Sequence, residues 1–206
     1  MSGCASAAGI SHVALSPPPP EVVALRNLDG GAAKLGDIIK NHEATVLIWW
    51  ATQCPCVARY EERMTALRRS YPENRIAILA VASNADDDSL SIKKTLKERG
   101  FHLPLIIDSH AKLATLLGVR STPTVVILER SGKVRFIGWM DNERSPGETD
   151  RIPYVQLTLD AMLGEAKEST QNRTPVYGCI ITRSLLEKNT CHSVKKKCTY
   201  GHEPNQ

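Results

Sequence analysis

No apolar run in this 206-residue chain approaches the roughly 18 to 20 residues that a bilayer-spanning helix needs. Charge of one sign is also scarce, with 26 Lys and Arg against 22 Asp and Glu, and Lys195-Lys196-Lys197 supplies much of the excess. A nucleic-acid footprint is therefore not indicated. The Cys-x-x-Cys-His pattern of haem attachment is absent as well. At 42% hydrophobic content the chain builds one sizeable core, so a single domain with two tails is the natural count.

What the sequence does have is a hydrophobic run leading into two cysteines, Val46-Leu47-Ile48-Trp49-Trp50-Ala51-Thr52-Gln53-Cys54-Pro55-Cys56. Val57, Tyr60, Met64 and Leu67 then recur at helical spacing, with Arg59, Glu61, Glu62, Arg68 and Arg69 on other faces. Cys54 falls near the cap of this helix and Cys56 in its first turn. Pro55 suits the first helical position, where its missing N–H is no loss. A cysteine at a helix N-terminus meets unpaired N–H groups and the positive end of the helix dipole, both of which favour thiolate. A disulfide between Cys54 and Cys56 would close a small ring away from relaxed geometry and should be comparatively oxidising.

Strands are expected at 22–25, 46–50, 76–82 and 105–108, and helices at 35–40, 55–70, 89–99 and 111–117. A hairpin at 124–128 and 134–138 and a closing helix at 154–168 follow. This alternation predicts an α/β fold, a central mixed β-sheet with helices on both faces. Trp49 and Trp50 should point to opposite faces. The expected organisation is a tail or spacer at 1–20, a domain at 21–170 and an extension at 171–206. The loop 140–151 reads as a solvated connection.

Far downstream, Gly118-Val119-Arg120-Ser121-Thr122-Pro123-Thr124-Val125-Val126-Ile127-Leu128 places a proline at the start of a hydrophobic strand. Together with the Cys54 segment, this resembles the thioredoxin superfamily. The resemblance implies a thioredoxin-like three-layer fold and a cis Thr122-Pro123 peptide lying against the reactive cysteine. Asn84-Ala85-Asp86, Pro104-Leu105-Ile106-Ile107-Asp108, Gly138-Trp139-Met140-Asp141-Asn142 and Gly178-Cys179-Ile180-Ile181 are similar to the redoxin branch of alkyl hydroperoxide reductase-like and thiol-specific-antioxidant-like proteins. The similarity spans roughly residues 20 to 183.

The departures narrow the chemistry. Thioredoxin-type reductases carry Cys-x-x-Cys, but position 57 is Val57. Peroxiredoxins place a threonine three residues before the peroxidatic cysteine, where this chain has Ala51, and a proline further back, where it has Leu47. The resemblance thus implies a thiol-disulfide oxidoreductase in which Cys54 attacks, Thr122 and Pro123 hold the mixed disulfide, and Cys56 or Cys179 resolves it. A thiol peroxidase acting on a hydroperoxide through Cys54 is the alternative. A Cu(I) chaperone using Cys54, Cys56 and a histidine such as His110 is a third reading, since soft thiolates select Cu(I). Exchange needs no organic cofactor, only a protein thiol or disulfide substrate and an electron donor that the residues do not identify.

The termini add two expectations. Met1-Ser2-Gly3-Cys4-Ala5-Ser6 resembles the end of a bacterial lipoprotein signal without its preceding charged and hydrophobic regions. If the gene starts upstream, Cys4 is a lipid anchor, Ser16-Pro17-Pro18-Pro19-Pro20 is a stiff spacer, and the location is the bacterial envelope or periplasm. Otherwise the location is the cytoplasm. At the other end Cys191, His192, Cys198 and His202 have the ligand types of a zinc or copper site. A Cys191–Cys198 disulfide is the stronger expectation in an oxidising compartment.

Overall fold

The computed structural model of the protein describes residue 23 and residues 25–143, 150–166 and 172–183. Cys4, the proline-rich spacer and the Cys191, His192, Cys198 and His202 group lie outside the described residues.

Two seven-residue strands, β3 (Ala44–Trp50) and β4 (Ile76–Ala82), are buried at every position. Continuous hydrophobic runs of this kind suit parallel strands covered on both faces, and β3 and β4 do pair in parallel. β3 also pairs antiparallel with β7 (Thr124–Glu129). The remaining strands are β1 (Leu25–Asn27), β2 (Ala32–Ala33), β5 (Leu105–Ile107) and β8 (Val134–Gly138), giving the order β2-β1-β5-β4-β3-β7-β8. β6 (Ser121–Thr122) and β9 (Cys179–Ile180) form a separate two-stranded pair.

Side-chain alternation along β3 divides the core. Val46, Ile48 and Trp50 pack with Val57, Tyr60 and Met64 of helix α2 (Pro55–Ser70), with Ile92 of α3 (Ser89–Arg99), and with Val155 and Leu159 of α5 (Tyr154–Met162). Leu47 and Trp49 pack on the other face with Leu35 and Ile39 of α1 (Leu35–Asn41) and Leu113 and Ala114 of α4 (Lys112–Leu116). Both tryptophans are fully buried, one to each face as the alternation predicts. Their N–H groups are satisfied, Trp49 by the Ser83 hydroxyl and Trp50 by Glu61.

Some boundaries differ from expectation. Among the described residues β1 is Leu25–Asn27, with Val23 outside it, and the Leu25↔Ala33 register pairs it with β2 just beyond the turn at Gly30. Helix α4 starts only at Lys112, after a break at His110 and Ala111, both with positive φ. The closing helix α5 ends at Met162, short of 168, and Gly164 (φ 77°) turns the chain away. The loop after β8 is not a solvated connection over its first part: Met140, Asp141 and Glu143 are buried. Arg63 pairs with Asp141 and Glu143, while the Tyr60 hydroxyl donates to Asp141 at 3.0 Å and to the Glu143 carbonyl at 2.6 Å.

After α5 the chain returns as a strap, residues 172–183, along the edge of β8. Ile137 N–H donates to the Asn172 carbonyl and Thr174 N–H to the Ile137 carbonyl, both at 3.1 Å. Trp139 holds the strap twice, through its backbone N–H to Thr174 Oγ1 at 2.8 Å and its indole N–H to the Tyr177 carbonyl at 2.7 Å. This close approach needs glycine at 138, since a Cβ there would overlap Thr174 Oγ1. Gly138→Ala is therefore expected to destabilise the fold by about 1 to 3 kcal/mol, read as a lower midpoint in urea. An unchanged midpoint would show that the strap is not packed this way.

Candidate active site

The turn that delivers Cys54 is clamped from two sides. Asp87, in the loop after β4, accepts from Thr52 N–H at 3.1 Å and Thr52 Oγ1 at 2.5 Å, and from Asn84 Nδ2 at 3.2 Å. Burial raises the Asp87 pKa, and these hydrogen bonds oppose that rise. Arg99, at the end of α3, donates to the Thr52 carbonyl at 2.5 Å and pairs with Glu61 of α2 at 3.0 Å. The two groups fix the residues on which the position of Cys54 depends.

Cys54 is the N-cap of α2 and Pro55 the first helical residue. The Cys54 thiol is buried, 1% exposed, and donates to the Thr122 carbonyl at 3.3 Å. The Thr122-Pro123 peptide is cis, and β9 pairs with β6 so that Cys179 stands opposite Thr122. The Thr122 hydroxyl reaches back to the Cys179 carbonyl at 3.5 Å. Gly178 makes this crossing possible, because a Cβ there would overlap the Thr122 carbonyl oxygen.

The sulfurs of Cys54, Cys56 and Cys179 all lie within 4.8 Å of one another. Cys54 and Cys179 are free thiols, and Cys56 is disulfide-bonded to neither of them. The five residues singled out in the sequence, Cys54, Cys56, Thr122, Pro123 and Cys179, thus converge. His110 does not join them: it is exposed, in the turn before α4, and is not among the grouped metal-ligand atoms of the described residues.

A hydrogen bond from the Cys179 thiol is the main cause that lowers Cys54 to about 6, against the opposing effect of burial. The Thr122 side chain and the Val57 backbone N–H add to the lowering. As a thiol Cys54 makes no capping bond, so the helix N-terminus acts chiefly on the thiolate. Cys179 moves the opposite way, because losing its proton would break the bond to Cys54 and leave two thiolates side by side. One sulfur is kept charged and its neighbour protonated.

Sequence reasoning missed the roles of Asp87 and Arg99, and it marked Asn84 and Gly178 only as part of the redoxin resemblance, not as residues that hold this arrangement. The polar run Asn84-Ala85-Asp86-Asp87-Asp88 right after a buried strand carried a signal, since the carboxyl ends of central strands are where α/β sheets place their sites.

The pH profile should show the pairing. Alkylation of Cys54 by iodoacetamide is expected to rise with an apparent midpoint near 6, where half of the thiol is ionised and above which the thiolate predominates. In Cys179→Ala the hydrogen-bond donor is gone, and the midpoint should move up toward the roughly 8.5 of an ordinary thiol. A profile that Cys179→Ala leaves in place would show that some other group acidifies Cys54.

Among known proteins, the model of the AhpC/TSA family matches residues 19–137. The chain is 26% identical over 110 residues to the thiol-disulfide oxidoreductase ResA of Halalkalibacterium halodurans, an alignment of 53% of this chain that spans 60% of that protein's length. An uncharacterized conserved protein from Geobacillus kaustophilus has the same fold, with a TM-score of 0.70 at 24% identity, over 83% of this chain and 93% of that one. The thioredoxin domain of a thiol-disulfide oxidoreductase from Bacteroides vulgatus superposes with a TM-score of 0.50 at 16% identity, over 60% of this chain and 86% of that one. With the mixed sheet, the cysteine at the head of α2 and the cis-proline turn in place, the chain belongs to the AhpC/TSA family and has a thioredoxin-like fold.

Proposed function

We propose that the chain is a thiol-dependent oxidoreductase that exchanges disulfides with protein substrates, with Cys54 as attacking thiol and Cys179 as resolving thiol. The observation that carries this is the Cys54–Cys179 hydrogen bond, with its opposite effects on the two thiols. Cys54 thiolate attacks one sulfur of a substrate disulfide, forming a mixed disulfide and releasing the other substrate sulfur as thiolate. That step removes the charge which had kept Cys179 protonated. Cys179 then gives its proton to the departing thiolate and attacks Cys54 Sγ. A Cys54–Cys179 disulfide forms, and the substrate's second sulfur leaves. Two electrons have passed to the substrate, and a dithiol donor restores the pair. The Thr122 and Pro123 backbone lines the position of the mixed disulfide, and Ile180, 69% exposed beside Cys179, offers an apolar contact for the substrate chain.

Access to Cys54 requires the strap to lift, since the thiol is almost fully covered. The strap's far end is pinned by Ala85 N–H to the Thr182 carbonyl at 2.8 Å, Thr182 N–H to Asn84 Oδ1 at 2.9 Å, and the Thr182 hydroxyl to Asn84 and Asp86. These groups also join the Asp87 clamp through Asn84, so the two cysteines are held by one continuous set of hydrogen bonds.

An oxidising compartment such as the bacterial envelope suits a chain with a disulfide-bonded Cys56, and lipid attachment at Cys4 would hold it there. Among the described residues no helix is long and apolar enough to cross a membrane. The peroxidase reading is weaker because Ala51 stands where peroxidases have threonine.

Two experiments test this account. Cys179→Ser should accumulate a mixed disulfide between Cys54 and a disulfide-containing protein substrate, visible on non-reducing gels, while Cys54→Ser forms none. Rapid consumption of hydroperoxide by wild type without such adducts would favour the peroxidase instead. Thr182→Val removes hydroxyl hydrogen bonds worth about 1 kcal/mol, so opening of the strap and alkylation of Cys54 should be roughly fivefold faster. An unchanged rate would show that Cys54 is reached without strap movement.

A further inference from the structure

We propose that the three converging cysteines form a Cu(I) site, with Cys54, Cys56 and Cys179 as its ligands. Their sulfurs lie within 4.8 Å of one another. Metal–sulfur bonds of about 2.3 Å place three sulfurs about 4 Å apart in a trigonal plane, so ligation needs only a small contraction. The donor set chooses the metal. Structural zinc takes four ligands in a tetrahedron, and the grouped ligand atoms of the described residues number three, all sulfur. Thiolate sulfur is the donor that selects Cu(I).

The surroundings suit a thiolate-rich centre. Cys54 and Cys56 are both buried and sit at the head of the 16-residue helix α2, whose positive end offsets anionic charge. The third ligand is brought from outside the helix by the β6–β9 pairing. The Cys54 turn is clamped by Asp87 and Arg99, so two of the ligands are positioned before metal arrives. Burial also keeps water from the metal, which slows oxidation to Cu(II).

Loading requires Cys56 as a thiol. A dithiol reductant converts the Cys56 disulfide to two thiols and is itself oxidised to a disulfide. Cu(I) then binds the three sulfurs, whose remaining thiol protons pass to solvent, and keeps its oxidation state. The site does not rest on the exchange chemistry proposed above, although both use Cys54 and Cys179. Loss of copper binding with exchange intact would count against this site alone.

The test is a titration of full-length chain, reduced and handled without oxygen, with Cu(I) in competition with bicinchoninate. A full-length Cys4→Ser, Cys191→Ser, Cys198→Ser variant is titrated in parallel. Both are expected to take one Cu(I) per chain, with three sulfur neighbours by X-ray absorption at the copper edge. Cys54→Ser, Cys56→Ser and Cys179→Ser should each weaken binding by more than about tenfold, since even the loss of an outer-shell partner costs that much. The absorption measurement on the unsubstituted protein stands even if a serine variant fails to fold. Copper that is lost from the triple variant and retained by Cys179→Ser would overturn the proposal, as would failure to compete with the chelator. Preferential retention of Zn(II) in a four-ligand site would overturn it too.

Discussion

The site depends on a two-residue pairing between β6 and β9, whose register sets Cys179 opposite Thr122, the residue against which Cys54 lies. The pairing is too short to be stable alone, since even an isolated hairpin is marginal in water. It persists because the strap is held at both ends, at β8 by Ile137, Trp139 and Thr174 and at the β4 loop by Asn84 and Asp86. Two glycines allow the backbones to meet, Gly138 under Thr174 and Gly178 over Thr122. Core packing fixes the sheet and α2, whereas the relation between the two thiols rests on hydrogen bonds at the sheet's edge.

That division matters for the chemistry. A low thiol pKa at a helix N-terminus is often assigned to the dipole, but here the neighbouring Cys179 thiol is the main cause and burial works against it. The effect is therefore conditional. It exists while the strap is docked and Cys179 is reduced, and it ends when either changes. The acidity of Cys54 thus depends on the same docked strap that carries Cys179, while its thiol lies buried.

Much of the fold was legible because its signals are local. Spacing predicted α2 over 55–70 and the structure has it there, since Pro55 fixes the start and Val57, Tyr60, Met64 and Leu67 define one buried face. The fully buried runs of β3 and β4 were equally readable. Reading failed where partners are distant. Thr122 and Cys179 are 57 positions apart, and no periodicity connects them; only the resemblance to redoxins drew attention to Gly178 and Cys179. Asp87 looked like one more acid in a polar run, because its burial follows from where Thr52 lies in the folded chain. Loop residues 140–143 looked solvated because their charges are visible in sequence and the Arg63 that neutralises them is on another element.

The central claim is that Cys179, rather than the nearer-in-sequence Cys56, is the redox partner of Cys54. The most direct measurement is mass analysis of tryptic peptides from fully reduced protein reoxidised with one equivalent of a small disulfide and alkylated without further reduction. The account predicts a Cys54–Cys179 linked peptide as the main product. A Cys54–Cys56 link would contradict it and assign the exchange chemistry to the Cys-x-Cys pair.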